Sequence, residues 1–443
     1  MKPWAKPYQS SVQRPDAFRQ DGPGERLTPI ASNQREGVAG IAQEVALTRA
    51  FEGLRVIDTT HVLAGPFAAY QMAVLGAEVI KVESPHDPDQ ARSQGSDRRL
   101  NDLEMGTAFL AQASNKKALA LDLKTPLGQN ALKRLVATAD VFVENYRPGA
   151  FASLGLGYDN LRRINPKLIY CSISAFGATG PRREHTGYDN ILQAFSGMMA
   201  MTGHGDGMPL KTGAPVVDYA TGTTAAFAIT AALFQRERSS GQGQFVDVSM
   251  LDVALVLSSS HLTGFAWNGR HPEQRGNRYP FATIGCYRAS DDYLMISASN
   301  LRQQRRLWAS LGREDMIKMD NNQRLDAHAE EADVLASIIG GMPADYWEQF
   351  FRSRRIPAAR IRRMEEALAD PQIATRRVLH THATPGSDVD GLTVPVAAFR
   401  MSGGDPAVHF PPQPIGAQTR EILAELGYGP EDLAAICAAE AVA

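Results

Sequence analysis

Two carboxylates stand where they could do covalent or proton-transfer chemistry. Asp218 lies in TGAPVVDYATG, between an apolar strand-like run and Gly222. With Val216, Val217 and Tyr219 around it, its side chain is expected to be largely desolvated, which raises a carboxyl pKa and makes the anion a better nucleophile or base. The same spacing also suits a structural acid capping the helix that follows. Asp189, in GYDNILQAFSG, has apolar residues two and three positions on and reads as a helix N-cap or a catalytic acid. His61 follows a strand-like run and reads as a base or as a hydrogen-bonded structural histidine. Lys116, Lys117, Lys124, Arg147 and Arg162 could clamp a diphosphate, or could be solvated surface cations. The three cysteines, Cys171, Cys286 and Cys437, are far apart and lack metal-ligand spacing. A disulfide framework or zinc site is not expected, and Cys171 in KLIYCSIS reads as a small buried hydrophobe.

The elements that must position these residues alternate. LRVIDTT is a strand, Gly65 and Pro66 turn the chain, FAAYQMAVLG is a helix stopped at Gly76, and EVIKVE is a second strand. ALALDLK, VFVEN and LIYCSIS add further strands, and Pro126 opens a helix running to about Ala139. Strands alternating with helices predict an α/β fold with a doubly wound, Rossmann-like parallel sheet. Ligands on such sheets bind beyond the carboxyl ends of the strands, where HVLAGP, NYRPG and SAFGATGP all fall. No Gly-x-Gly-x-x-Gly or Walker sequence follows any strand, so a nicotinamide or ATP site is not supported. Ala220–Phe234 reads as a buried helix, and FVDVSM after the SSGQGQ turn as another strand. NGRHPEQRGNRYP is loop-like, CYRASDDYLMISAS hairpin-like, and RRLWASLGR and DYWEQFFRSRR amphipathic helices of a smaller α+β unit. PIGAQTREILAELGY is a last helix ending at Gly427.

A chain of 443 residues predicts more than one domain. Boundaries fall at 1–48, a proline-punctuated and loosely ordered extension, and 49–225, a large Rossmann-like domain. A helical linker (226–270), a small α+β domain (271–365) and a return to the large domain (366–443) complete the chain. With 21% charged residues and a formal net charge of −2, the composition argues against nucleic acid or an anionic membrane as the main partner. A reducing, cytoplasmic location is expected from the cysteine usage, without metal or permanently bound cofactor.

Ten ordered motifs resemble the family III CoA-transferases, which include formyl-CoA and carnitine CoA-transferases and the related α-methylacyl-CoA racemases. They are LRVIDTTHVLAGPFA, LGAEVIKVE, NKKALALDLKTPLG, DVFVENYRPGA, NPKLIYCSISAFGATGP, GYDNILQAFSGMMAMTG, GAPVVDYATG, SGQGQFVDVSMLDV, ADPQIATRRV and PIGAQTREIL. The resemblance implies a large domain built from both ends of the chain, a small inserted domain, and a homodimer of interlinked subunits. It implies Asp218 as covalent nucleophile, acyl-CoA and a small carboxylic acid as substrates, and CoA contacts from Leu63, Ala64, Leu121, Lys124, Asn145, Tyr146 and Arg147. Asp189 falls where formyl-CoA transferase carries a glutamate beside the nucleophile, which implies a supporting role. Leu63, Ser84 and Thr186 replace that enzyme's glutamine, arginine and lysine, and 268–280 lacks its run of glycines, which argues against formate or oxalate. The racemase branch places a histidine before the second acid; here Tyr188 stands between Gly187 and Asp189. A non-catalytic acyl-CoA binding protein of the same fold is the other alternative, and the presence of Asp218 argues against it.

Overall fold

In the computed structural model, which describes residues 49–439 apart from Asp206, six of the apolar runs become one parallel sheet. Its strands are β1 (Arg55–Asp58), β2 (Glu78–Glu83), β3 (Lys116–Ala120), β4 (Val141–Glu144), β5 (Ile169–Ser174) and β6 (Phe245–Ser249), in the spatial order β3-β2-β1-β4-β5-β6. The order reverses between β1 and β4, and at such a switch point the carboxyl ends leave a crevice. The extension 1–48 lies outside the described residues.

The interior strands are buried along nearly their whole length because both faces of the sheet are covered. Ile57, Ile80, Phe142 and Tyr170 pack on one face against Ala131, Leu132 and Leu135 of the helix Pro126–Val136. Val56, Val79, Val141, Ile169 and the fully buried Cys171 point the other way, against the helices Ala64–Val74 and Val216–Arg238. Thr125 caps the Pro126 helix by accepting from the Gly128 N–H at 3.1 Å. That helix ends three residues before the expected Ala139, which belongs instead to the turn into β4.

The C-terminal segment fastens onto the edge strand β3. The Gln418 N–H donates to the Ala118 carbonyl at 3.0 Å, and the Ala118 N–H donates to Gln418 Oε1 at 2.7 Å. Ile422, Leu423, Tyr428 and Ile436 then join the core on the Pro126 face. An open strand edge is thereby covered.

A separate antiparallel sheet holds β7 (Ile284–Arg288), β8 (Tyr293–Ser297) and β9 (Ala358–Arg360), with helices packed around the fully buried Trp308. The β7–β8 hairpin follows the expected pattern, whereas β9 spans three residues, too few for any alternation to be read. A further two-stranded pair, β10 (Leu379–Thr381) and β11 (Thr393–Pro395), lies in the C-terminal return. The segment read as a helical linker, 226–270, also supplies β6 to the large sheet.

Two expectations are corrected around Asp218. The run before it is not a strand: Pro215 is the N-cap residue and Val216 already begins the helix. Nor is that helix buried all round. Val217, Thr221, Gly222, Ala225, Ile229 and Leu233 face the core, while Phe227 is 73% and Phe234 63% exposed. By length and composition alone the helix Val216–Arg238 is long and apolar enough to cross a membrane.

The contact between the two long helices on this face is set by Gly222. A Cβ added there would lie 2.6 Å from the Ala64 carbonyl oxygen and 2.9 Å from a Phe67 ring carbon. Only the bare Cα lets the helix bearing Asp218 lie this close to the helix Ala64–Val74. Gly222→Ala is therefore expected to lower the melting temperature, although alanine is by about 1 kcal/mol the better helix former. Thermal unfolding reads this directly; an unchanged or raised melting temperature would show that the two helices separate freely.

Candidate active site

A cleft of about 460 Å³ opens at the carboxyl ends of the parallel strands. The residues after β1 (His61–Ala64), β2 (Ser84, Asp87), β3 (Leu121–Lys124), β4 (Asn145–Arg147) and β5 (Ala175) line it, as the switch-point rule requires. Asp218 closes the cleft from the first turn of its helix. Leu63, Ala64, Leu121, Lys124, Asn145, Tyr146 and Arg147, scattered over 85 positions of sequence, thus meet one nucleophile candidate around one cavity.

Asp189 is buried and does not line the cleft. It is also not an N-cap of its own helix, where it occupies the first helical position after Tyr188. Its carboxylate serves the neighbouring helix instead. Oδ2 accepts from the backbone N–H groups of Val217 at 2.7 Å and Asp218 at 3.2 Å. Oδ1 accepts from Gln193 Nε2 at 2.5 Å, and the Gln193 amide also engages Thr212. Pro215 offers no capping side chain, so the Asp189 anion supplies what the start of the Val216 helix lacks. Local spacing reads the nearest helix; it cannot show that a carboxylate caps a helix starting 27 residues later.

Burial pushes the Asp218 carboxyl up, and the Asp189 charge behind it pushes further, to about 7. Once ionised, such a carboxylate is more basic and more nucleophilic than a solvated aspartate. Beside it the Tyr219 ring meets the Phe67 ring edge-on at 4.9 Å, tying the first turn of this helix to the helix Ala64–Val74.

The opposite rim is braced by hydrogen bonds between strand-end loops. Asn145 Oδ1 accepts from the His61 N–H and its amide donates to the His61 carbonyl, both at 2.8 Å. The Asn145 side chain is thereby occupied holding the β1 and β4 loops together. The His61 ring hydrogen-bonds the Tyr146 hydroxyl, with the rings T-shaped at 4.8 Å. Burial and then Lys81 keep the His61 imidazole below its ordinary pKa, and burial first pushes the Tyr146 phenol up to about 12. Both are neutral near pH 7, so His61 acts as a neutral brace at the rim.

The cation cluster read from the sequence divides. Lys124 and Arg147 line the cleft. Lys116 is buried, pairing with Asp58 Oδ2 at 2.8 Å and donating to the Pro66 carbonyl at 2.7 Å. Lys117 lies on the alternate face of β3, where it pairs with Glu78 and Glu421, and the Arg162 guanidinium sits over the Tyr158 ring at 5.5 Å. Strand alternation separates Lys116 from Lys117, and neither lines the cleft. Tyr188 also lines it, and among residues not singled out from the sequence so do Ser174, His185 and Met250.

A Rossmann-like sheet with a desolvated acid at its switch-point cleft offers a nucleophile or a base, and the class follows from similarity to known proteins. The chain belongs to CoA-transferase family III, whose model matches residues 51–419. It is 36% identical over 385 residues to a succinate–glutarate CoA-transferase of Agrobacterium fabrum, covering 84% of this chain and 95% of that one. It is 33% identical to the human succinyl-CoA:glutarate CoA-transferase, covering 85% of each. Among solved structures, a CaiB/BaiF family protein from Brucella suis superposes with a TM-score of 0.75 at 30% identity, covering 86% of this chain and all of that one. The protein is thus a family III CoA-transferase.

The raised Asp218 pKa has a consequence for stability. The folded protein holds this proton more tightly than the unfolded chain, so the group's contribution to stability falls as pH rises from about 4 toward 7 and stays low above that. Asp218→Asn removes the penalty. Its melting temperature should exceed that of the wild type, by a margin that grows between pH 5.5 and 8.5. A margin independent of pH would show that Asp218 is not desolvated.

Proposed function

We propose that the protein moves CoA from a short dicarboxylyl-CoA, succinyl-CoA being the candidate, to a small carboxylic acid through covalent intermediates on Asp218. The observation that carries this reading is the desolvated Asp218 carboxyl facing the same cleft as the expected CoA contacts. The relatives support the donor: several are named for succinyl-CoA, paired with glutarate, D-citramalate or mesaconate.

In this mechanism the Asp218 carboxylate attacks the donor thioester carbonyl. The carbon–sulfur bond breaks, giving an aspartyl anhydride and CoA thiolate. The thiolate attacks the aspartyl carbonyl, forming an aspartyl-CoA thioester and releasing the donor acid. The acceptor carboxylate attacks that thioester, regenerating thiolate and a mixed anhydride. The thiolate then takes the acceptor's acyl group and frees Asp218. Each step exchanges one leaving group for another and needs no net proton or redox partner, and dividing the exchange this way lowers each barrier. Oxyanions formed at each carbonyl call for nearby donors, and Leu63 and Ala64, whose backbone N–H groups stand at the start of the helix Ala64–Val74, border the cleft. Asp189 acts behind the nucleophile, holding its helix start and keeping its basicity high.

The racemase alternative needs a second proton carrier at the α-carbon. Tyr188 stands at the family's histidine position, and a tyrosine is a weak acid for that task.

Asp218→Ala is expected to bind CoA and lose transfer by several orders of magnitude, whereas Asp189→Ala loses less. Steady-state transfer from succinyl-CoA to a panel of acids, with mass detection of new CoA esters, reads both. More than one tenth of wild-type activity in Asp218→Ala would remove the nucleophile assignment. Deuterium exchange at the α-carbon of a 2-methylacyl-CoA by the wild type would favour the racemase instead.

The reading includes an interlinked homodimer working in the cytoplasm on small molecules, without nucleic acid or membrane as partner. The apolar residues left exposed on one chain support a self-contact: Phe227 and Phe234 with Trp267, which is 90% exposed. Subunits threaded through one another cannot part without unfolding. Differently tagged dimers mixed in native buffer are expected not to exchange. Rapid exchange, or a folded monomer at nanomolar concentration, would contradict the interlinked assembly.

A further inference from the structure

Val62, at the cleft wall, has a φ of +70°. A β-branched residue is the side chain least suited to the left-handed region. Two side chains outside the cleft hold it there. The Val62 N–H donates to Asp89 Oδ1 at 2.8 Å, and Gln112 Nε2 donates to the Val62 carbonyl at 2.7 Å. Asp89 is 1% exposed and is fixed from the other side. Its Oδ2 pairs with Lys81 Nζ at 3.1 Å, and that ammonium also donates to the Thr60 carbonyl at 2.7 Å. The Asp89 N–H donates to Glu83 Oε1 at 3.2 Å, and Glu83 forks onto the buried Arg92 guanidinium.

The turn held in this way joins two fixed ends. On one side β1 ends at Asp58, whose carboxylate is occupied by Thr60 and Lys116. On the other the helix Ala64–Val74 is pinned against Gly222. Only the left-handed residue between them lets the chain leave the strand and present Leu63 and Ala64 to the cleft.

We propose that Asp89 is a positioning residue of this active site: by accepting from the Val62 N–H it holds the left-handed turn that sets Leu63 and Ala64 against the acyl-CoA beside Asp218. This rests on the reading of the cleft as the acyl-CoA site. Asp89 touches no substrate. The same Oδ1 also accepts from the Ala91 N–H at 3.0 Å, but the effect on CoA passes through the conformation of Val62, so a residue indifferent to the sign of φ should make the carboxylate dispensable for CoA binding.

The test is a cycle of four proteins: wild type, Asp89→Ala, Val62→Gly and the double variant. CoA affinity by calorimetry, transfer from succinyl-CoA and thermal unfolding are measured on each. Asp89→Ala is expected to weaken CoA binding by about tenfold or more when Val62 is present, the scale of a released backbone strain. The same change in the Val62→Gly background should cost about threefold or less, an effect under half of that free energy. The melting temperature should fall in both backgrounds, because the buried Lys81 loses the carboxylate it pairs with either way. Rescue of affinity without rescue of melting separates positioning from general destabilisation. Equal loss of affinity in both backgrounds overturns the proposal. Should Asp89→Ala not fold, Asp89→Asn keeps an oxygen for the Val62 N–H and is expected to retain CoA affinity. A tenfold loss in Asp89→Asn that Val62→Gly leaves unchanged overturns it equally. Wild type that binds CoA but transfers nothing would remove the transferase reading, while the cycle in CoA affinity would still decide the role of Asp89.

Discussion

One carboxylate, that of Asp189, organises the chemistry of this protein from behind. Its oxygen accepts from the N–H groups of Val217 and Asp218, so the helix Val216–Arg238 starts where it does because an anion waits for it. The amino end of a helix favours such a charge, and a buried carboxylate with several donors is well satisfied. Burial first, and then this same charge, drives the neighbouring Asp218 carboxyl toward neutrality, since a second anion close by is repelled. Structure and reactivity thus pull on one group in opposite senses. The helix gains a cap, and the acid at its first turn gains basicity.

That arrangement works only if the helix is also held from its far side. Gly222 does so by allowing backbone contact with the helix Ala64–Val74, and Tyr219 adds an edge-on ring contact to Phe67. The cleft wall and the helix bearing the nucleophile are therefore packed directly on each other. On the other wall, Asn145 locks the loops after β1 and β4 through both the oxygen and the nitrogen of its side-chain amide. The crevice at a switch point is a topological gift, but its dimensions here come from these short polar clamps.

Much of this was legible in the chain. The alternation of apolar runs and breakers showed the parallel sheet, and motif order brought Asp218 and seven distant residues to one place, where the cleft joins them. What failed to read were interactions between elements. PVVD looks extended because valines favour strands, yet a remote anion converts it to a helix start. KK before a strand looks like a phosphate clamp, yet alternation sends Lys116 to Asp58 in the interior and Lys117 to Glu78. A signal for that burial was present. Asp58, Lys81, Glu83 and Lys116 alternate with or adjoin valines, isoleucines and alanines in strands of a sheet covered on both faces, and a buried charge must be paired. Which charge pairs with which depends on sheet order, and no local pattern carries that information.

The clasp at β3 has a consequence in time as well as in space. Ala118 is joined to Gln418 across 300 positions of chain. As the polypeptide leaves the ribosome, all six strands of the sheet emerge while the segment that closes the outer edge is still unmade. The smaller unit, whose contacts are shorter in range, is synthesised in that interval. A nascent chain thus carries an open edge strand through the synthesis of those 300 positions, and an open edge is a template for pairing with other chains. The edge is sealed only when Gln418 and Thr419 arrive to claim the hydrogen bonds of β3.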